Sequence, residues 1–216
     1  MKKTLLASVI ICSSLLFGSL EGVIMAAETG DNHQSLSEIS ITEGDGSTDP
    51  LEPGLPGDET GHTGSLTIDN ITHLTFGTQQ LSSKKEVYKT TSAKPNVQVT
   101  DQRGVGTGWN LMVASSKFST EEGQELKGAF LKFEKGRVGT TEDNTSDAPL
   151  ANEVSFELSN DPMIIMSADE DAGLGTWVNR LFNEGNTDNL VSLEVPSGNK
   201  VGVYSANLDW TLSDAP

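Results

Sequence analysis

The sequence predicts an all-β protein: a single β-sandwich or barrel-like domain that follows a disordered N-terminal linker. Three observations predict it. Apolar residues alternate with polar ones in several separate runs, clusters of Gly, Asn, Asp and Pro punctuate those runs, and no long stretch has amphipathic helical spacing.

Residues 1–27 read as a secretory signal peptide. Lys2 and Lys3 supply a charged start, Leu5 to Leu20 an apolar stretch, and Ala26-Ala27 a small-residue cleavage site. The single cysteine, Cys12, lies inside that stretch, so the mature chain is expected to hold no disulfide, cysteine metal site or thiol nucleophile.

Residues 28–63 form an acidic linker. Glu28, Asp31, Glu38, Glu43, Asp45, Asp49, Glu52, Asp58 and Glu59 are unrelieved by any Lys or Arg, and Pro50, Pro53 and Pro56 alternate with Gly54, Gly57 and Gly61. So few apolar side chains cannot offset the entropy of ordering, and the segment is expected to be extended and mobile.

Strands begin at Gly64. Leu66 and Ile68 alternate with polar neighbours, as do Val97 and Val99, then Trp109, Leu111 and Val113, then Val154, Phe156 and Leu158, then Val191, Leu193 and Val195. Residues two apart share one face of a strand, so each set predicts a half-buried strand. A short helix is expected near Gly175 to Asn183. Residues 64–216 are numerous enough to bury a core of their own.

Charge narrows the partners. The chain carries 14 Lys and Arg against 31 Asp and Glu, a net charge of −17. Nucleic acid is a poor partner for such a field, and none is expected. Anionic wall polymers are repelled on average too, so any attachment needs a local surface of the folded domain.

The residues of enzyme chemistry are sparse. His33 and His62 fall in the linker and leave His73 alone in the domain, and no Gly-x-Ser-x-Gly elbow surrounds any serine. Asp169-Glu170-Asp171 lacks the spacing of a calcium loop. A glycosidase needs only two carboxylates, and the sequence favours no pair. The expectation is a non-enzyme with no cofactor and no metal.

The C-terminal segment is the most informative. Tyr204, Ala206, Leu208, Trp210 and Leu212 make one apolar row, with Asn207, Asp209, Thr211 and Ser213 on the opposite face. Trp109-Asn110-Leu111 repeats the logic about 100 residues earlier. Two Trp-x-Leu tripeptides, the second inside Tyr-x3-Leu-x-Trp-x-Leu-x3-Pro ending at Pro216, resemble the WxL-domain surface proteins of low-GC Gram-positive bacteria. Further similar stretches are Gly64 to Asn70, Thr75 to Gly77, Val97 to Gly104 before Gly108 to Leu111, and Gly175 to Trp177. Asp209 departs from the family pattern, which usually has Thr before the second Trp.

The resemblance implies non-covalent attachment to peptidoglycan and membership of a surface complex that includes a membrane-anchored WxL-interacting protein. It also permits binding to host extracellular matrix. The motif residues are then Trp109, Leu111, Tyr204, Leu208, Trp210, Leu212 and Pro216, with Trp177 as an additional contact. Two readings of the tripeptides stand side by side: ligand contacts, or the paired apolar framework of the domain, which the alternation favours. Lys84, Lys85 and Lys89, and Lys127, Lys132, Lys135 and Arg137, either meet wall phosphates and carboxylates or form solvated faces.

Overall fold

The computed structural model describes residues 35–46, 48–52, 58–157, 159–183 and 188–214. The expected signal peptide, Cys12, Leu158 and Pro216 lie outside them. The chain divides into two compact units, residues 1–40 and 41–216. In the first, residues 35–40 have no regular secondary structure, and Leu36 and Ile39 are exposed.

The second unit is all β. Its strands are β1 (Leu66–Ile71), β2 (Glu86–Lys89), β3 (Asn96–Asp101), β4 (Trp109–Ser115), β5 (Phe130–Phe133) and β6 (Arg137–Thr140), followed by β7 (Leu150–Ala151), β8 (Val154–Ser155), β9 (Met163–Ala168), β10 (Gly175–Arg180), β11 (Val191–Val195) and β12 (Leu208–Asp214). They pair antiparallel into three four-stranded sheets, ordered β1-β3-β10-β6 (sheet A), β2-β11-β5-β8 (sheet B) and β12-β4-β9-β7 (sheet C). The all-β expectation holds, and the alternating sets locate β1, β3, β4, β8, β11 and β12.

All three sheets feed one core. Ile68, Val97 and Val99 come from sheet A, Leu131, Phe133, Val154 and Val191 from sheet B, and Trp109, Leu111, Val113 and Met166 from sheet C. Phe156 and Trp210 each meet the Phe133 ring edge-on, at 6.4 and 6.2 Å between centroids. That is the favoured geometry for aromatic quadrupoles.

The short helix expected near Gly175 to Asn183 is absent. Residues 175–180 form β10, hydrogen-bonded to β3 on one side and β6 on the other. β-branched Thr176 and Val178 flank Trp177, and a pleated central position suits all three.

The polar face of sheet A is buried instead of solvated. Gln98 and Thr100 have no exposed surface, and Thr67 and Asp69 almost none. The Asp69 carboxylate accepts bonds from Thr67 Oγ1 (2.7 Å), Gln98 Nε2 (3.0 Å) and Thr100 Oγ1 (2.6 Å). These donors therefore escape the penalty of unpaired burial, whereas Asn70 Oδ1 and the Asn179 side chain in the same sheet are buried without a partner among the described residues.

Residues upstream of Gly64 cover this face. Leu51 N–H donates to Gln98 Oε1, Gln98 Nε2 donates to the Asp49 carbonyl, and Glu52 ion-pairs with Arg180 and Lys94. Burial alone would raise the Glu52 carboxyl. Hydrogen bonds and charge from Arg180 and Lys94 outweigh it and hold the group below the usual carboxylate range. Asp58 is buried and accepts from the His73 backbone N–H, with the His73 ring at 3.1 Å. Ordered packing therefore starts before the composition changes at Gly64.

Candidate cell-surface site

The two Trp-x-Leu tripeptides lie on neighbouring strands. In the β12–β4 ladder, Leu212 faces Leu111, Trp210 faces Val113 and Asp214 faces Trp109. Directly opposed residues share a face, so both tripeptides put Trp and Leu into one core-facing row.

Their burial differs. Trp109 and Leu111 have no exposed surface, and Trp109 Nε1 donates to the Gly173 carbonyl at 3.1 Å. That bond satisfies the one polar atom of the indole. Trp210 and Leu212 are half-buried and pack against the rim of the core.

An arginine ties the far end of the ladder. Arg103 donates to both Asp101 oxygens (3.0 and 2.7 Å), to the Gly108 carbonyl (2.9 Å) and to Asp214. The hydrogen bond to Asp101 raises the guanidinium pKa further, against desolvation, so its charge is permanent. One side chain thus joins the end of β3, the start of β4 and the end of β12. Gly108 must be glycine here: its φ is +70°, and a Cβ would stand 2.3 Å from the Ala168 carbonyl oxygen.

Trp210 also borders an open groove of about 1390 Å³. One wall is the irregular segment 73–82 with Tyr88, and the other is residues 196–210. Phe76, Tyr88, Phe118, Tyr204 and Trp210 are half-buried along it. Tyr204 is held in place, because its hydroxyl donates to the Lys200 carbonyl (2.9 Å) and accepts from Gln124 Nε2. Ser119 and Ser205 exchange two backbone bonds that pin this wall. The charged lining residues are Asp58, Glu59 and Asp209 against Lys84 and Lys200. The groove is thus close to neutral in a strongly acidic protein.

A family model described as WxL domain, surface cell wall-binding, matches residues 28–216. The chain belongs to the WxL family. No curated protein and no solved structure matches it. Membership places this WxL protein at the cell surface as a binding module.

Of the WxL motif residues, Trp109 and Leu111 have no surface to offer a ligand, whereas Tyr204, Leu208 and Trp210 line the groove. Trp177 is also buried, with Nε1 bonded to the Leu174 carbonyl at 2.9 Å. Much of the basic clusters is engaged: Lys85 pairs with Glu194, Lys89 with Glu134 and Lys132 with Glu153, and Arg137 donates to the Phe182 carbonyl. Lys84 reaches the groove. The sequence gives no sign of Leu74, Phe76, Tyr88 or Phe118 as groove residues, because segments far apart in the chain meet there. No group of three or more His, Cys, Asp or Glu suited to a metal ion occurs among the described residues.

Proposed function

We propose that this WxL protein attaches non-covalently to peptidoglycan through the groove beside its second Trp-x-Leu strand, as an exported, non-enzymatic component of a multi-protein surface complex. The observation that carries this is the row of half-buried aromatic rings in a groove of nearly balanced charge. Aromatic faces stack on the C–H faces of sugar rings, and tyrosine adds a polar handle. Near-neutral lining spares a polyanionic wall the repulsion it meets elsewhere on this surface. Trp109, Leu111 and Trp177 serve as the framework that holds the groove strands in place.

The test is sedimentation with purified sacculi stripped of teichoic acid. The folded protein is expected in the pellet, and a Tyr204→Ala, Trp210→Ala double variant in the supernatant. Folded unsubstituted protein that stays in the supernatant refutes the reading.

A second reading has its own support. Leu81, Val201 and Val203 stand on the groove rim at 62, 80 and 91% exposure. An apolar rim of this kind suits a protein partner such as a membrane-anchored WxL-interacting protein, with wall association indirect. Binding to such a partner that survives removal of all wall material would favour it.

A further inference from the structure

Folded β proteins blunt the outer edges of their sheets, since unpaired backbone groups recruit other chains. Most sheet edges here are managed in that way. β1 is covered by residues 58–60, through Thr60 N–H to the Asp69 carbonyl (2.9 Å) and Ile71 N–H to the Asp58 carbonyl (2.8 Å). β7 and β8 have two residues each, β6 has four, and β2 has four and ends on Lys89.

β12 is the exception. It has seven residues, contains no Lys, Pro or Gly, and pairs only with β4 among the described residues. The phase of the ladder says which groups are free. Ser116 N–H donates to the Asn207 carbonyl at 2.9 Å. Alternation then turns the backbone groups of Asp209, Thr211 and Ser213 towards β4, and those of Leu208, Trp210 and Leu212 away from it. The outward set has no hydrogen-bond partner among the described residues. Its spacing of two residues is that of an extended strand.

We propose that the free edge of β12 is a strand-addition site for a net-basic protein. The occupant is an extended segment with apolar side chains at alternate positions and a Lys or Arg opposite Asp209. Charge selects it. Asp209 is exposed on the polar side of the strand, and the chain's net charge of −17 draws basic partners while repelling a second copy of itself. Apolar side chains of the added strand continue the row of Leu208, Trp210 and Leu212 over the half-buried Phe118 and Phe76 of the groove. The site stands whether or not the groove also takes wall glycan.

The probe is the synthetic peptide acetyl-Lys-Val-Thr-Val-Lys-Val-amide, with two N-methylated forms of equal charge. One is methylated at the Val positions and the other at the Lys and Thr positions. An added strand presents one backbone edge to β12, so one form loses affinity by about tenfold or more while the other stays within about threefold of the parent. Bound peptide slows hydrogen exchange at the Leu208, Trp210 and Leu212 amides, and Asp209→Lys weakens it by about tenfold without changing the fold. Parent peptide that fails to bind, equal binding of both methylated forms, or unchanged exchange at those three amides overturns the proposal. None of these readouts uses sacculi, so failure here is separate from failure of wall attachment.

Discussion

Replacing each motif tryptophan by alanine separates framework from contact. Trp109 is fully buried and donates to the Gly173 carbonyl, whereas Trp210 is half-buried beside the groove. Removing a fully buried Trp costs about 3–5 kcal/mol through lost burial and the cavity left behind. The stranded Gly173 carbonyl adds about 1 kcal/mol. For Trp210→Ala, with part of its surface wet and its neighbours free to relax, about half that cost is expected. In a domain of this size each kcal/mol moves the midpoint by about 2–4 °C, so Trp109→Ala should melt roughly 8–24 °C lower. Circular dichroism during urea and thermal unfolding is the right assay, because fluorescence changes with the deleted indole. Sacculus pelleting is then measured well below each variant's midpoint. Folded Trp109→Ala should pellet normally, and folded Trp210→Ala should pellet poorly. Equal stability losses, or a folded Trp109→Ala that fails to pellet while Trp210→Ala succeeds, would refute the division of labour.

Other expectations follow from single contacts. Glu52→Gln removes a carboxylate whose folded pKa lies below its ordinary value of 4.5, so the stability it supplies is present above that pH and is lost as pH falls through the folded value. Urea midpoints of the unsubstituted protein and the variant should therefore differ at pH 7 and converge in acid. Gly108→Ala combines left-handed strain with a Cβ 2.3 Å from a backbone oxygen, and should lower stability by more than about 2 kcal/mol in the same assay. Arg103→Ala leaves the buried Asp101 without its guanidinium and frees the end of β12; about 3 kcal/mol should be lost, with faster amide exchange at Ser213 than at Asp209.

Much of the fold is legible in residue alternation because most strands put one face into the core. β1, β3, β4, β11 and β12 show it plainly. β9 does not, since Met163, Ile164, Ile165 and Met166 form a continuous apolar run with no period. β10 misleads because Trp177 with Leu181, and Val178 with Phe182, fit helical spacing as well as a strand followed by a loop. The buried polar row of Thr67, Asp69, Gln98 and Thr100 carries no local sign of burial. Its cover comes from residues 49–52, whose composition suggests a solvated chain. The groove is hidden for a related reason: Phe76, Tyr88 and Trp210 are brought together by strand order alone. The pairing of the tripeptides, by contrast, is visible as two copies of one pattern.

The ladder between β4 and β12 also sets an order of events. Synthesis delivers β4 about 100 residues before β12, and closing a loop of that length costs about 4 kcal/mol in chain entropy. Until β12 arrives, sheet C lacks its outer strand and the row of Trp109, Leu111 and Val113 is incompletely covered. A prematurely stopped chain would thus display the β4 edge and be open to aggregation or proteolysis. The outward backbone of Leu208, Trp210 and Leu212 becomes the outer edge of sheet C only after the β4–β12 ladder closes. Strand addition at that edge would then depend on the closure of a long-range ladder, and the proposed partner would meet only chains in which sheet C is complete.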